Sequence, residues 1–250
     1  MRRISICLAV LGLAVLGLSA SASAAPTITL KAKAVPIPGF PHTGNILGAG
    51  AAVQAEYTIA GTEYGGFPPP IEGITFYLPA GVKLHPQGFA TCPASTIETS
   101  GPGACPKKSI AGPKGSASGI VSFGTERVQE TVSVQPFFAP GGNLEFYVDG
   151  VSPVSIEILS KGSIVGNSPP FGPKLVAEVP LIESVPGALD ASALSINVKV
   201  GAALKQGKKT IYYGMLPKKC PAGGFPVKSV MTFLGGATAE ASYKAPCPKK

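Results

Sequence analysis

Few side chains in this sequence have the chemistry of a catalytic base. Its two histidines are His42 and His85, and its two aspartates are Asp149 and Asp190. Acyl transfer needs a nucleophile, a base and an orienting group in contact. Each histidine neighbours a proline, which is typical of solvated loops, and residues 115–119 (GSASG) have alanine where a nucleophile elbow has serine. The sequence therefore predicts no catalytic site and a protein that is not an enzyme.

The sequence also shows no pair of carboxylates suited to glycoside hydrolysis. Glu145 and Asp149 alternate with Tyr147 along one predicted strand. At about 3.4 Å per residue they lie roughly 13 Å apart, too far for either glycosidase geometry. No D-x-D pattern favours calcium, and no glycine-rich loop joins a strand to a clear helix. We therefore expect neither a metal nor a cofactor.

The cysteines point to an oxidising compartment. Cys7 lies in the N-terminal leader, which leaves Cys92, Cys105, Cys220 and Cys247. An even number in an exported chain indicates two disulfides, with three possible connectivities. Proximity along the chain favours Cys92–Cys105 and Cys220–Cys247. Their spacing lacks the close C-x2-C pairs of a zinc site, and the proline after each cysteine holds it in extended geometry.

The first 24 residues have the three parts of a secretory signal peptide. Arg2 and Arg3 are followed by an apolar run over residues 4–18, and Ala22 and Ala24 supply the A-x-A cleavage pattern. Cleavage after Ala24 predicts a secreted or extracellular protein, with association with the cell envelope as one alternative. No later stretch is long and apolar enough to span a bilayer as a helix.

Composition favours strands over helices. The 250 residues include 32 glycines and 26 prolines, which oppose helix interiors, and only 14% are charged. A hydrophobic content of 45% still permits a sizeable core. These values argue against a helical bundle, a coiled coil and a Rossmann-type enzyme.

Apolar residues recur with a period of two, which is typical of half-buried strands. Residues 187–194 alone suggest a helical turn. We expect an all-β, mostly antiparallel β-sandwich as one domain over residues 25–250, or two smaller tandem sandwiches divided near 166–173. The predicted strands are 27–35, 52–60, 73–78, 118–123, 126–137, 144–149, 154–158, 175–181, 194–200, 210–215, 227–234 and 237–243.

Lysine pairs are the most suggestive polar feature. Lysines suit diffuse attraction to polyanions, and the natural polyanions outside a cell are anionic wall polymers and lipid headgroups. Nucleic acid is not expected, because Arg127 is the sole arginine after the leader. The alternative is that these lysines only keep the surface soluble. The lysines that we predict to contact a polyanion are Lys107, Lys108, Lys218, Lys219, Lys249 and Lys250.

Several segments resemble a group of uncharacterised secreted, Cys-Pro-containing, β-rich proteins of high-GC Gram-positive bacteria. The resemblance implies export and a β-rich fold, and it brings no known activity and no functional residues. The segments that carry it are 78–81 (LPAG), 90–93 (ATCP), 212–214 (YYG), 216–221 (LPKKCP), 223–228 (GGFPVK) and 245–250 (APCPKK).

Taken together, these features predict a secreted, non-catalytic, envelope-associated or extracellular binding or structural protein. Two other functions stay open. An extracellular hydrolase with an unconventional site requires a cleft in which His42 or His85 meets an acidic side chain. A carrier of apolar ligands requires a cavity between the sheets.

Overall fold

The computed structural model describes residues 25–40, 46–123, 126–183 and 186–248. The predicted signal peptide, His42, Lys249 and Lys250 lie outside these ranges.

The described chain is built almost entirely of strands, and each strand predicted from the period-two pattern overlaps one of them. The predicted strand 210–215 divides into two, and two further short strands have no counterpart among the predictions. The strands are β1 (Thr27–Val35), β2 (Ala52–Ala60), β3 (Ile71–Tyr77), β4 (Lys83–Leu84), β5 (Gly115–Phe123), β6 (Glu126–Phe138), β7 (Leu144–Gly150), β8 (Ile156–Val165), β9 (Lys174–Glu178), β10 (Ser192–Val200), β11 (Ala203–Gln206), β12 (Lys209–Tyr212), β13 (Gly214–Met215), β14 (Phe225–Phe233) and β15 (Thr238–Ala245).

Eleven strands form one antiparallel sheet in the order β1-β2-β10-β5-β6-β7-β8-β9-β3-β14-β15. Strands from both sides of residues 166–173 lie in this sheet. The sheet curls on itself until β1 lies against β15, so its two halves face each other across a common interior. The predicted fold class, an antiparallel β-sandwich with two disulfides, is confirmed.

Alternating side chains build the core. On β1, Ile28, Leu30 and Ala32 are buried while the residues between them are exposed, because successive side chains of a strand point to opposite faces. Tyr57 crosses this core. Its hydroxyl donates a hydrogen bond to Ser229 Oγ at 3.1 Å, and Ser229 Oγ donates one to the Thr75 carbonyl at 3.0 Å.

The helical turn predicted at residues 187–194 is wrong, because the chain there makes a tight turn and enters β10 at Ser192. A helix that the sequence did not suggest, α1 (Ala94–Ser100), lies elsewhere. Five of its seven residues are serine, threonine or isoleucine, which are weaker helix formers than alanine. Its one buried side chain, Ile97, packs with Cys92 and Phe137 on the outer face of the sheet, so tertiary contact stabilises this helix.

The connections between strands fall at two ends of the sandwich, because neighbouring strands run in opposite directions. We call the first the disulfide end, since it contains all four of the paired cysteines, and the second the acidic end. Among the described residues, the disulfide end comprises residues 36–40, 46–51, 78–114, 139–143, 166–173, 201–224 and 246–248, and the acidic end comprises residues 61–70, 151–155, 179–183, 186–191 and 234–237.

Candidate functional site

Both disulfides have the pairing predicted from proximity. Cys92 bonds to Cys105, with Cα atoms 5.4 Å apart, and Cys220 bonds to Cys247, with Cα atoms 5.9 Å apart. The first bond fixes the segment that contains α1 over the outer face of β6, β7 and β8, where Cys92 is fully buried. The second ties the end of β15 to the segment that precedes β14.

The lysines predicted to contact a polyanion lie at this same end wherever the structure describes them. Lys107 and Lys108 are exposed in a single 3-10 turn just after Cys105. Lys218 and Lys219 are exposed just before Cys220. The structure thus places both pairs beside disulfides at one end of the sandwich, and their contact with a polyanion stays a prediction.

Charge separates strongly between the two ends. Among the described residues, the connections of the disulfide end contain one carboxylate, Glu98, which lies 3.2 Å from Lys161 Nζ on β8. The described connections of the acidic end contain Glu63, Glu183 and Asp190 and no lysine. The described lysines of the disulfide end number nine: Lys83, Lys107, Lys108, Lys114, Lys205, Lys208, Lys209, Lys218 and Lys219.

Between the two halves of the sheet lies a cavity of about 260 Å³. Its walls are apolar, with Ile74, Val132, Phe146, Leu175 and Ile196 among the side chains that line it. It extends from residues of the disulfide end to residues of the acidic end. Pockets of this kind, apolar with a few polar groups, are the usual sites for small ligands.

Small inward-facing side chains leave this space open. Ala55, Ala117, Gly119 and Ala193 all line the cavity, and none of them extends beyond one carbon. A core normally packs to crystal-like density, so a cluster of such short side chains keeps the opposed walls apart. Two of these residues belong to the GSASG segment, in which the alternation of glycine and alanine was the available sequence signal.

The exposed part of the cavity lining lies at the acidic end, and we refer to it as the mouth. Pro180 and Leu181 line the cavity and are also exposed, with Leu181 at 40% of its full accessibility. They precede a hairpin in which the Ala191 amide donates a hydrogen bond to the Ile182 carbonyl at 2.9 Å. Val151 and Leu189, on the same end, are the two most exposed large hydrophobic residues of the described chain.

One carboxylate lines the cavity in the described part of the chain. Glu130 on β6 is only 3% exposed, and neither of its oxygens has a described partner with the geometry of a hydrogen bond. Desolvation by burial raises the pKa of Glu130, and the nearby amides of Val154 and Ser152 partly oppose that rise. A buried carboxyl group of this kind favours its neutral form.

Glycines make room for this carboxyl group. Gly119 on β5 is the cross-strand partner of Glu130. A Cβ atom at Gly150 on β7 would lie 2.5 Å from Glu130 Oε1. Ser192, on the other side of Gly119, also lines the cavity, and its buried hydroxyl has no partner among the described residues.

At the disulfide end, an aromatic cluster closes the cavity. Tyr213 is 3% exposed and packs with Phe138 at 4.7 Å and with Phe89 at 6.2 Å between ring centroids. Burial raises the pKa of its hydroxyl, which has no hydrogen-bond partner within the described ranges.

Glu145, a second buried carboxylate, faces away from the cavity. It is the cross-strand partner of Phe137 and Lys161 and lies beneath the segment that contains α1. Desolvation raises its pKa, the charge of Lys161 lowers it and that of Glu98 raises it again. Glu145 and the half-exposed Asp149 therefore have different surroundings on one strand.

His85 is half-buried at the disulfide end, where its backbone amide donates a hydrogen bond to the Tyr213 carbonyl at 2.7 Å. In the described part of the chain, no ion pair joins it to a carboxylate. Over the same residues, no group of three His, Cys, Asp or Glu side chains is arranged to hold a metal ion. None of the described helices is long and apolar enough to cross a membrane.

Comparison with protein-family models, with curated proteins and with solved structures gives no match to this chain.

Proposed function

We propose that this protein is a secreted, non-catalytic binding protein that encloses one small apolar molecule in its interior. The observation that carries the proposal is the apolar cavity between the two halves of the sheet. The leader sequence and the two disulfides support an extracellular location.

The cavity volume limits the size of the ligand. An apolar cavity of about 150 Å³ stays dry and binds benzene. By that scale, a cavity of about 260 Å³ holds a molecule of about ten non-hydrogen atoms. An elongated molecule fits best, because the cavity reaches from the acidic end to the disulfide end.

Titration of the purified protein with nonane, followed by amide NMR shifts, tests this function. We expect saturable binding, with shifts concentrated on the cavity walls. Ala117→Leu should abolish it, because the added carbons occupy the cavity. Ala60→Leu is the matched control, since Ala60 is an exposed strand residue. The absence of binding to the wild-type protein, or equal loss in both variants, would refute the proposal.

A second function, retention at the cell envelope, is favoured by the nine lysines of the disulfide end. With a single carboxylate among them, they form a surface that an anionic wall polymer or anionic lipid headgroups complement in charge. Attraction between exposed charges is screened over about 8 Å at physiological salt, so such retention should fall as salt rises.

Retention is tested with purified protein and isolated cell walls across a salt series. Lys218→Gln/Lys219→Gln should weaken retention at low salt. Lys31→Gln/Lys33→Gln is the matched control, because it removes the same charge from exposed positions on β1. If the two double variants weaken retention equally, only net charge matters and the disulfide end has no special role.

A further inference from the structure

We infer that the ligand is a single-chain amphiphile with an uncharged hydroxyl head, which hydrogen-bonds to Glu130 while its tail fills the apolar interior. This inference rests on the proposed binding of an apolar molecule, and it adds the ligand's chemical class and its direction in the cavity.

Glu130 is suited to receive a head group because it is buried, lines the cavity and lacks a hydrogen-bond partner among the described residues. A buried polar group without a partner destabilises a protein. A ligand that supplies the missing hydrogen bond recovers part of that cost. This position is therefore the point in the apolar wall where a polar ligand atom gains most.

The surrounding residues leave space for the head group. Gly119 is paired with Glu130 on one side and with Ala193 on the other, so no side chain projects into the cavity between β6 and β10 at this level. The unpartnered hydroxyl of Ser192 borders the same space and offers a second hydrogen bond.

The charges of the cavity lining favour a ligand with an uncharged head group. In the described ranges no lysine or arginine lines the cavity, so a ligand carboxylate would lie desolvated beside another carboxyl group. An ammonium head would require Glu130 to be charged, and burial disfavours that form. A hydroxyl group both donates and accepts, so it can pair with the Glu130 carboxyl group in either protonation state and adds no charge to the cavity.

The position of Glu130 also sets the direction of the ligand. Glu130 lies near the acidic end, towards the mouth at Pro180 and Leu181. The opposite end of the cavity is lined by Leu144, Phe146 and Tyr213. The hydroxyl head therefore stays near the mouth and the tail extends towards the aromatic cluster of the disulfide end.

The experiment compares ligands of similar size by NMR titration of the purified protein. The ligands are octan-1-ol, nonane, octanoate and octylamine, at neutral pH. Octan-1-ol should bind about 3- to 10-fold more tightly than nonane, which corresponds to one recovered hydrogen bond. Octanoate and octylamine should bind more weakly than octan-1-ol.

Three variants assign the effect to Glu130. Glu130→Leu should remove the preference for octan-1-ol while nonane still binds, which also shows that the variant is folded. Glu130→Gln should keep most of the preference, because an amide donates and accepts. Glu145→Leu is the matched control: it removes a buried carboxyl group that faces away from the cavity, and it should leave the preference unchanged.

The possible failures are distinguishable. If neither nonane nor octan-1-ol binds, the proposed function is wrong. If both bind equally, or if Glu130→Leu keeps the preference, the cavity binds apolar molecules but the inferred head group is wrong. Tightest binding by octanoate or octylamine would likewise overturn the inference, as would loss of the preference in Glu145→Leu.

Discussion

The disulfide end and the acidic end of this sandwich differ in length of chain, in cross-linking and in charge. The disulfide end has two long segments, 78–114 and 201–224, both disulfides and nine lysines. The acidic end has shorter connections, three carboxylates and the exposed hydrophobic residues around the cavity mouth. The charged surface and the route into the interior are therefore separated by the length of the strands.

This difference has a physical origin. Long segments with little regular structure lose much conformational entropy on folding, and a disulfide reduces that cost by restricting the unfolded chain. The shorter connections of the acidic end lose less conformational entropy on folding, so they depend less on a disulfide. The cross-links lie where the chain is longest between strands.

The largest expected effect is on the disulfide end. Cys92→Ala/Cys105→Ala should lower the free energy of unfolding by about 3 kcal/mol. It should cost more than Cys220→Ala/Cys247→Ala, because Cys92 is fully buried against Ile97 and Phe137. The chain-entropy model alone predicts the reverse order, since Cys220–Cys247 closes the longer loop. Denaturant unfolding of both double variants shows whether the burial of Cys92 or the length of the closed loop has the larger effect on stability.

On the cavity wall beside Glu130, Gly119→Ala should destabilise the protein by about 1–3 kcal/mol. Its new Cβ atom would collide with the backbone carbonyl of Ser192. Gly103→Ala at the disulfide end is the control, because a Cβ atom there meets nothing within 4 Å. Thermal unfolding should give a clearly lower melting temperature for Gly119→Ala than for Gly103→Ala. Equal stability would show that the wall near Glu130 adjusts freely.

The two buried carboxylates predict how stability depends on pH. Burial raises the pKa of both Glu130 and Glu145 in the folded state. The folded protein therefore binds protons more readily than the unfolded chain, and the free energy of unfolding should rise as pH falls from neutral towards the ordinary carboxyl pKa. Glu130→Gln and Glu145→Gln should each flatten that rise. A slope unchanged in both variants would contradict the assigned cause.

The smallest effect should come from the exposed ion pair at the disulfide end. Glu98→Gln loses its contact with Lys161, in which both side chains are about half exposed, and such pairs contribute at most about 1 kcal/mol. The same change removes a like charge near Glu145, which offsets the loss. We expect denaturant midpoints that are nearly identical, and a large shift would mean that this ion pair anchors α1.

The sequence predicted the strands well wherever alternation was clear. The bounds 27–35 and 52–60 agree with β1 and β2 to the residue, because each has one buried and one solvated face. Proximity also predicted both disulfides. Helix α1 was missed because its formation depends on Ile97 reaching Phe137 on a distant strand, a contact that no local pattern encodes.

The candidate site was less predictable for a similar reason. Glu130 belongs to an ordinary alternating strand in the sequence, and only the pairing of β6 with β5 sets it opposite Gly119. The lysine pairs were visible, but their collection at one end depends on the direction of each strand. Both features follow from the order of strands in the sheet, which the sequence does not state.

The unequal distribution of lysines and carboxylates gives the protein a permanent electric dipole along its strands. The field of a negatively charged layer turns such a dipole while the molecule is still approaching that layer. The lysine-rich disulfide end would then face the layer, with the strands directed away from it. Every molecule held in this way would share one orientation, with the cavity mouth turned towards the surrounding medium. A monolayer of the protein would therefore present a uniform array of openings to whatever diffuses past.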